Sequence, residues 1–164
     1  MLNSVPKLLK LIALLCIAAV VTALISQYVF GMQPCAWCVL QRLIYLSIAI
    51  VCGVGLLSER MAAARTAATG IALAFSAGGM AAAWYQYRVA ANLFSCDQTF
   101  ADRFMVSSGL DANVPWLFGI LASCMDARVE IMGLEYALWS LMLFAVISLL
   151  CVAALIRSAR LTLR

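Results

Sequence analysis

Histidine is absent from all 164 residues, and charged residues make up only 11% of them. The first absence excludes chemistry that needs an imidazole as base or ligand: Ser-His-Asp and Cys-His catalysis, histidine-held zinc and histidine-ligated haem. The second excludes a water-soluble globule. Such a domain is about half apolar and about a quarter charged, whereas this chain is 66% hydrophobic with a mean hydropathy of +1.06. Too little polar material is left to cover a surface facing water, so the chain belongs in a lipid bilayer. There, seven cysteines are its only obvious reactive side chains. The net charge of +4 does not point to a nucleic-acid partner, because the placement of the charges matters more than their sum.

Windows without charge run over 11–41, 43–58, 66–87 and 136–156. A helix needs about 20 apolar residues to cross a bilayer, and four fit, near 11–30, 39–57, 66–87 and 136–156. The expected fold is an all-α integral membrane protein, one domain over 1–164: a four-transmembrane-helix bundle with a short first loop and a long second loop at 88–135. Lys7, Lys10, Arg60, Arg65, Arg157, Arg160 and Arg164 fall at one end of such a bundle, accompanied only by Glu59. The other end holds Arg42, Arg88, Arg103 and Arg128 with six acids. By the positive-inside rule both termini are expected in the cytoplasm and both loops outside it. Trp37, Trp84, Trp116 and Trp139 all map to that outer boundary, where an indole's apolar ring and polar edge are both accommodated. The first span follows two lysines as a secretory signal would, but its apolar run is long for one, and it is expected to be retained. In the third span Gly70, Ala74, Gly78 and Ala82 recur every fourth residue, a stripe that would let a neighbouring helix approach closely.

The cysteines sort by place. Cys16, Cys52 and Cys151 lie inside spans, where buried cysteine acts as a small apolar residue. Cys35, Cys38, Cys96 and Cys124 fall in the outer loops, an even number in an oxidising compartment. Cys35-Ala36-Trp37-Cys38 is a C-x-x-C motif after Pro34 that runs into the second span. Cys38 is therefore expected near a helix N-terminus, where free N–H groups and the helix dipole favour a thiolate. Arg42 follows by four residues, hence on the same face. An arginine one turn into a membrane helix is either an interface anchor or has a task. Cys96 and Cys124 are 28 residues apart, which by itself suits a static staple as well as an exchanging pair. Between them, 114–121 is apolar but far too short to span, and is expected to lie in the membrane surface. A C-x-x-C alone is compatible with metal binding or redox exchange. Two cysteine pairs on one face, one with an arginine a turn below it, are more specific.

With Gln27-Tyr28, Pro34-Cys35-Ala36-Trp37-Cys38, Gln41-Arg42, Cys96-Asp97, Cys124, and Met132-Gly133-Leu134-Glu135 before Trp139, the chain resembles the disulfide bond formation protein B family of bacterial inner membranes. The resemblance covers nearly the whole chain in order and spacing. It implies a relay in which a reduced periplasmic, DsbA-like thiol oxidase attacks Cys96, Cys124 exchanges with Cys35, and the released Cys38 engages a bound quinone that Arg42 helps to hold. The implied cofactor is ubiquinone, or menaquinone without oxygen; no metal is implied. Many members carry histidine where Tyr28 stands and Met-Pro where Tyr136-Ala137 stand, so any quinone contact made by a histidine elsewhere is replaced or absent here.

Energetics ask for such a sink independently. A structural disulfide below about −300 mV cannot oxidise a dithiol near −120 mV, because the gap of roughly 180 mV is about 8 kcal/mol uphill for two electrons. The competing readings are a vitamin-K-epoxide-reductase-like enzyme, whose C-x-x-C usually lies in the last span, a disulfide-stapled module without catalysis, and a four-cysteine metal-binding subunit. Four spans can bury one another without a partner, so a monomer is expected.

Overall fold

In the computed structural model, residues 5–58, 62–90 and 99–162 are described. Cys96 and Asp97 lie outside the described residues. Four helices among the described residues are long and apolar enough to cross a membrane: α1 (Val5–Tyr28), α2 (Ala36–Leu57), α3 (Ala62–Arg88) and the last, α7 (Tyr136–Thr162). Between α3 and α7 come three short helices, α4 (Phe100–Ser107), α5 (Leu110–Asn113) and α6 (Pro115–Phe118), and a hairpin of β1 (Glu130–Ile131) and β2 (Leu134–Glu135). The long helices form a ring in the order α1, α2, α3, α7, with the front between α7 and α1 the least extensive.

The helices outrun the charge-free windows. Helix α1 begins at Val5 and not at residue 11, and α3 at Ala62 and not at 66, because backbone hydrogen bonding does not stop where a lysine or arginine enters the sequence. A charge-free window measures hydrocarbon, not helix. More consequentially, α2 starts at Ala36 and not at 39. Cys35 is its N-cap residue in extended conformation (φ −87°, ψ 171°), so the C-x-x-C occupies the cap and first turn, and Pro34 stands just outside.

A core of fully buried side chains runs down the bundle axis, with Ile12 and Cys16 from α1, Ile48 and Cys52 from α2, Ala72 from α3, and Phe144, Ile147 and Cys151 from α7. The three span cysteines are all in it. Leu14, Ile17, Ile50, Val54 and Leu149 instead point outward, a surface suited to lipid.

The small-residue face of α3 matches the expected stripe only at its ends, where Ala82 is buried and Gly70 half-buried. Ala74 and Gly78 are exposed, whereas Ala72, Ser76, Gly79 and Ala83 face the core. The reason is a single aromatic. Phe144 lies flat on Tyr45, with ring centroids 4.1 Å apart, and fills the space where a side chain on Gly79 would go. A Cβ built there meets Phe144 at 2.4 Å, while one on Gly78 meets nothing within 4 Å. Gly79→Ala is therefore expected to destabilise the bundle by about 1–3 kcal/mol through overpacking, and Gly78→Ala to be neutral. Thermal midpoints of the two variants in detergent check this pair, and equal midpoints would show that α3 does not pack through Gly79.

Candidate active site at the loop end of the bundle

A second buried cluster caps the core at the end that carries both loops. From α2 it takes Cys35, Ala36, Trp37 and Val39. From the second loop it takes Ala101 and Met105 of α4 and Phe118 of α6. Thr99, three residues after Cys96, starts α4 with a reciprocal capping box to Asp102, so the chain is anchored to the bundle soon after that cysteine. Segment 114–121 has two sides. Leu117 and Phe118 pack on the bundle, while Trp116 and Leu121 stay exposed. The Leu121 and Ala122 N–H groups both donate to the Pro34 carbonyl, at 3.0 and 3.3 Å, which ties the second loop to the residue preceding Cys35. Trp37 departs from the expected aromatic boundary: it is buried and tilts against Tyr85 at 4.8 Å, unlike the exposed Trp84, Trp116 and Trp139.

These contacts gather three of the four outer cysteines. Cys35 and Cys38 are present as thiols with sulfurs 3.3 Å apart. Cys124 packs against the same cluster, and its thiol is the largest influence on Cys35. Together with burial, that neighbour pushes the Cys35 thiol up to about 12, outweighing the hydrogen bond from Cys38. Cys35 is thus a poor nucleophile near neutral pH, since only thiolates attack. Among the described residues, Cys38 and Cys124 are the thiols that neighbour it. The fourth, Cys96, lies outside the described residues.

Below the cysteines sits a buried polar layer. Arg42, 5% exposed, donates to Gln27 Oε1 at 2.7 Å, to the Leu117 carbonyl at 3.0 Å and to the Ala23 carbonyl at 3.3 Å. A guanidinium suits this task because its planar fork can bond two acceptors on α1 and one on α6 at once. It is no snorkelling anchor. Its Nε has no hydrogen-bond partner among the described residues. Gln41 and Gln86 are also buried and joined to one another at 2.7 Å. The expectation singled out neither of them for a role, nor Gln27; the available signal was glutamine inside otherwise apolar spans, a polar group that needs a partner there.

Cys38 and Arg42 both open onto a groove of about 620 Å³ between α1, α2 and α7. Its walls are largely apolar, with Leu15 and Ala19 on one side and Leu143 and Val146 on the other. Polar groups are confined to the end nearest the loops, where Gln41, Gln86, Tyr136 and Ser140 join Arg42. Ala18, Thr22, Met142 and Val146 are exposed on the outside of the bundle, so the groove is open sideways. Its dimensions are those of a small-molecule site, with few polar groups placed at one end.

Comparison with known proteins decides the family. The family model for disulfide bond formation protein DsbB matches residues 6–154. The chain belongs to the disulfide bond formation protein B family. It is 30% identical to the disulfide bond formation protein B of Polaromonas naphthalenivorans (strain CJ2), covering 98% of this chain and 96% of that one. Its counterpart in Herminiimonas arsenicoxydans is 33% identical, with 90% and 92% covered. As a member of the disulfide bond formation protein B family, the chain is a multi-pass membrane oxidoreductase acting in disulfide formation, and membership does not favour a static scaffold or a metal-binding subunit.

Proposed function

We propose that this chain is a thiol-to-quinone oxidoreductase that reoxidises a periplasmic, DsbA-like dithiol oxidase. The observation that carries the reading is the sideways-open apolar groove with Cys38 and Arg42 at its loop end. A quinone head group needs apolar walls for its ring, a donor for a carbonyl oxygen and a thiol within reach. The residues fit those needs: Arg42 supplies a buried cation with one unsatisfied N–H, and Cys38 supplies the sulfur. Ubiquinone, or menaquinone without oxygen, when bound there supplies a two-electron, two-proton sink.

The chain's own residues do the rest. A thiolate of the reduced partner attacks Cys96 in the 96–124 disulfide, which forms the mixed disulfide and releases Cys124 as a thiolate, and the partner's second thiol later closes on that bond and frees Cys96. The Cys124 thiolate then attacks Cys35 in the 35–38 disulfide, and Cys38 leaves as a thiolate facing the groove. Pinning of Leu121 and Ala122 to Pro34 keeps Cys124 close to Cys35. Arg42 holds charge at the groove's polar end while its bonds to Gln27 and Leu117 fix its position. The working unit is a single chain, with both termini in the cytoplasm and both loops in the periplasm, as the segregation of Lys7, Lys10, Arg157 and Arg160 from the acidic loops supports.

Purified protein in lipid vesicles containing ubiquinone, given a reduced periplasmic thioredoxin-fold oxidase, is expected to consume quinone absorbance in step with partner oxidation. Partner oxidation without loss of either ubiquinone or menaquinone would overturn the quinone assignment.

A further inference from the structure

Gln86 lies on α3, outside the C-x-x-C and its helix, yet it touches both of its sulfurs. A buried amide needs partners for both ends, and Gln86, 6% exposed, has them. Its Oε1 accepts from Gln41 Nε2 at 2.7 Å. Its Nε2 donates to Cys38 Sγ at 3.1 Å and faces Cys35 Sγ at 3.6 Å. With Gln41 in this orientation, turning the Gln86 amide over would lose their bond and set an oxygen against the sulfurs, which a thiolate repels. Gln41, itself buried on α2, therefore fixes which end of Gln86 the cysteines meet.

A thiol sulfur is a weak acceptor, and a thiolate is a strong one. The Gln86 bond consequently strengthens as negative charge grows on the sulfur it faces, and it faces Cys38 more closely than Cys35. We propose that Gln86, oriented by Gln41, is a positioning residue that stabilises Cys38 as the leaving thiolate and so favours opening of the 35–38 disulfide by attack at Cys35 over attack at Cys38. The step balances: the Cys124 thiolate forms a bond to Cys35 Sγ, the Cys35–Cys38 bond breaks, and its electron pair stays on Cys38 Sγ. No oxidant is consumed. Exchange is faster through the sulfur whose thiolate leaves more readily, so the amide sets the direction of opening. Electrons are thereby delivered to the sulfur that lines the groove, and Cys35 is left bonded to Cys124.

This inference rests on the proposed function only in requiring that the 35–38 pair cycles between disulfide and thiols, and it is tested on thiols alone. With Cys96 and Cys124 changed to serine and no quinone present, Cys38 ionisation is followed by ultraviolet thiolate absorbance across pH. Its alkylation by iodoacetamide is followed by mass spectrometry. Gln86→Leu is expected to slow Cys38 alkylation at fixed pH about tenfold and to move the thiolate titration up by about one pH unit. Gln86→Glu, which sets a carboxylate against the sulfur, moves it further. Gln41→Leu leaves Gln86 in place but free to turn, and moves it less, in the same direction.

Folding is followed by thermal midpoint. Gln86 variants that keep the parent's midpoint and titrate as the parent does would overturn the proposal. Should Gln86→Leu fail to fold, an unmoved titration in Gln41→Leu would overturn it as well. Displaced titration in a protein that never reduces quinone would defeat the proposed function and leave this inference standing. Quinone turnover with undisplaced titration would do the reverse.

Discussion

Serine at position 38 is expected to stop quinone reduction completely while the partner's thiol is still captured at Cys96. Among the described residues, Cys38 is the one cysteine that lines the groove; Cys35 is fully buried and Cys124 belongs to the loop side. Serine keeps the size of the side chain and removes the sulfur, so the fold survives, the 35–38 disulfide cannot form, and no exchange passes electrons to the groove. Capture depends on a different loop and is untouched. Non-reducing gels for the mixed disulfide and loss of quinone absorbance read the two halves separately. Measurable quinone turnover by the variant would remove Cys38 from its assigned place.

Arg42→Leu is expected to produce the second large effect, about a hundredfold in kcat/KM for ubiquinone, the scale of losing one charge-assisted hydrogen bond to the bound head group. The loss is expected chiefly as a raised KM, with exchange between Cys124 and the 35–38 pair unchanged. A structural cost accompanies it. Gln27 Oε1 and the Leu117 and Ala23 carbonyls lose their donor, and each buried acceptor left unsatisfied costs about 1–3 kcal/mol. Arg42→Lys restores the charge but not the fork, and it should recover part of the activity and little of the stability. Steady-state kinetics against quinone and thermal midpoints separate these contributions. An unchanged KM in a folded Arg42→Leu protein would show that the cation serves the fold alone.

Much of the architecture was legible because hydrocarbon imposes a coarse rule. About 20 apolar residues make a span; three of the four windows hold one outright, and the second, 43–58, is completed only by running across Arg42. The C-x-x-C and Arg42 were legible for a similar reason: the spacing of four residues is a property of any helix. What escaped depended on contacts between elements. Gln41, Gln86 and Gln27 each sit in an apolar window, and nothing in the sequence says that the first two find one another across α2 and α3 while the third meets Arg42. The glycine stripe failed in an instructive way. Gly78 and Gly79 are adjacent, and a period of four cannot choose between them; the bulk of Phe144, 65 positions further on, makes the choice. Likewise Trp37 looked like its three exposed counterparts until the loop packed over it.

The sideways opening between α1 and α7 changes what concentration means for this protein. The quinone of the proposed function would enter there by diffusion within the plane of the bilayer, without crossing water. The quantity that sets occupancy is then the number of oxidant molecules per lipid, and the volume of the surrounding compartment does not enter. The soluble partner, meeting the loops, obeys the opposite law. On the proposed function, the fold would couple a three-dimensional encounter at the loop end to a two-dimensional one at the groove on its flank.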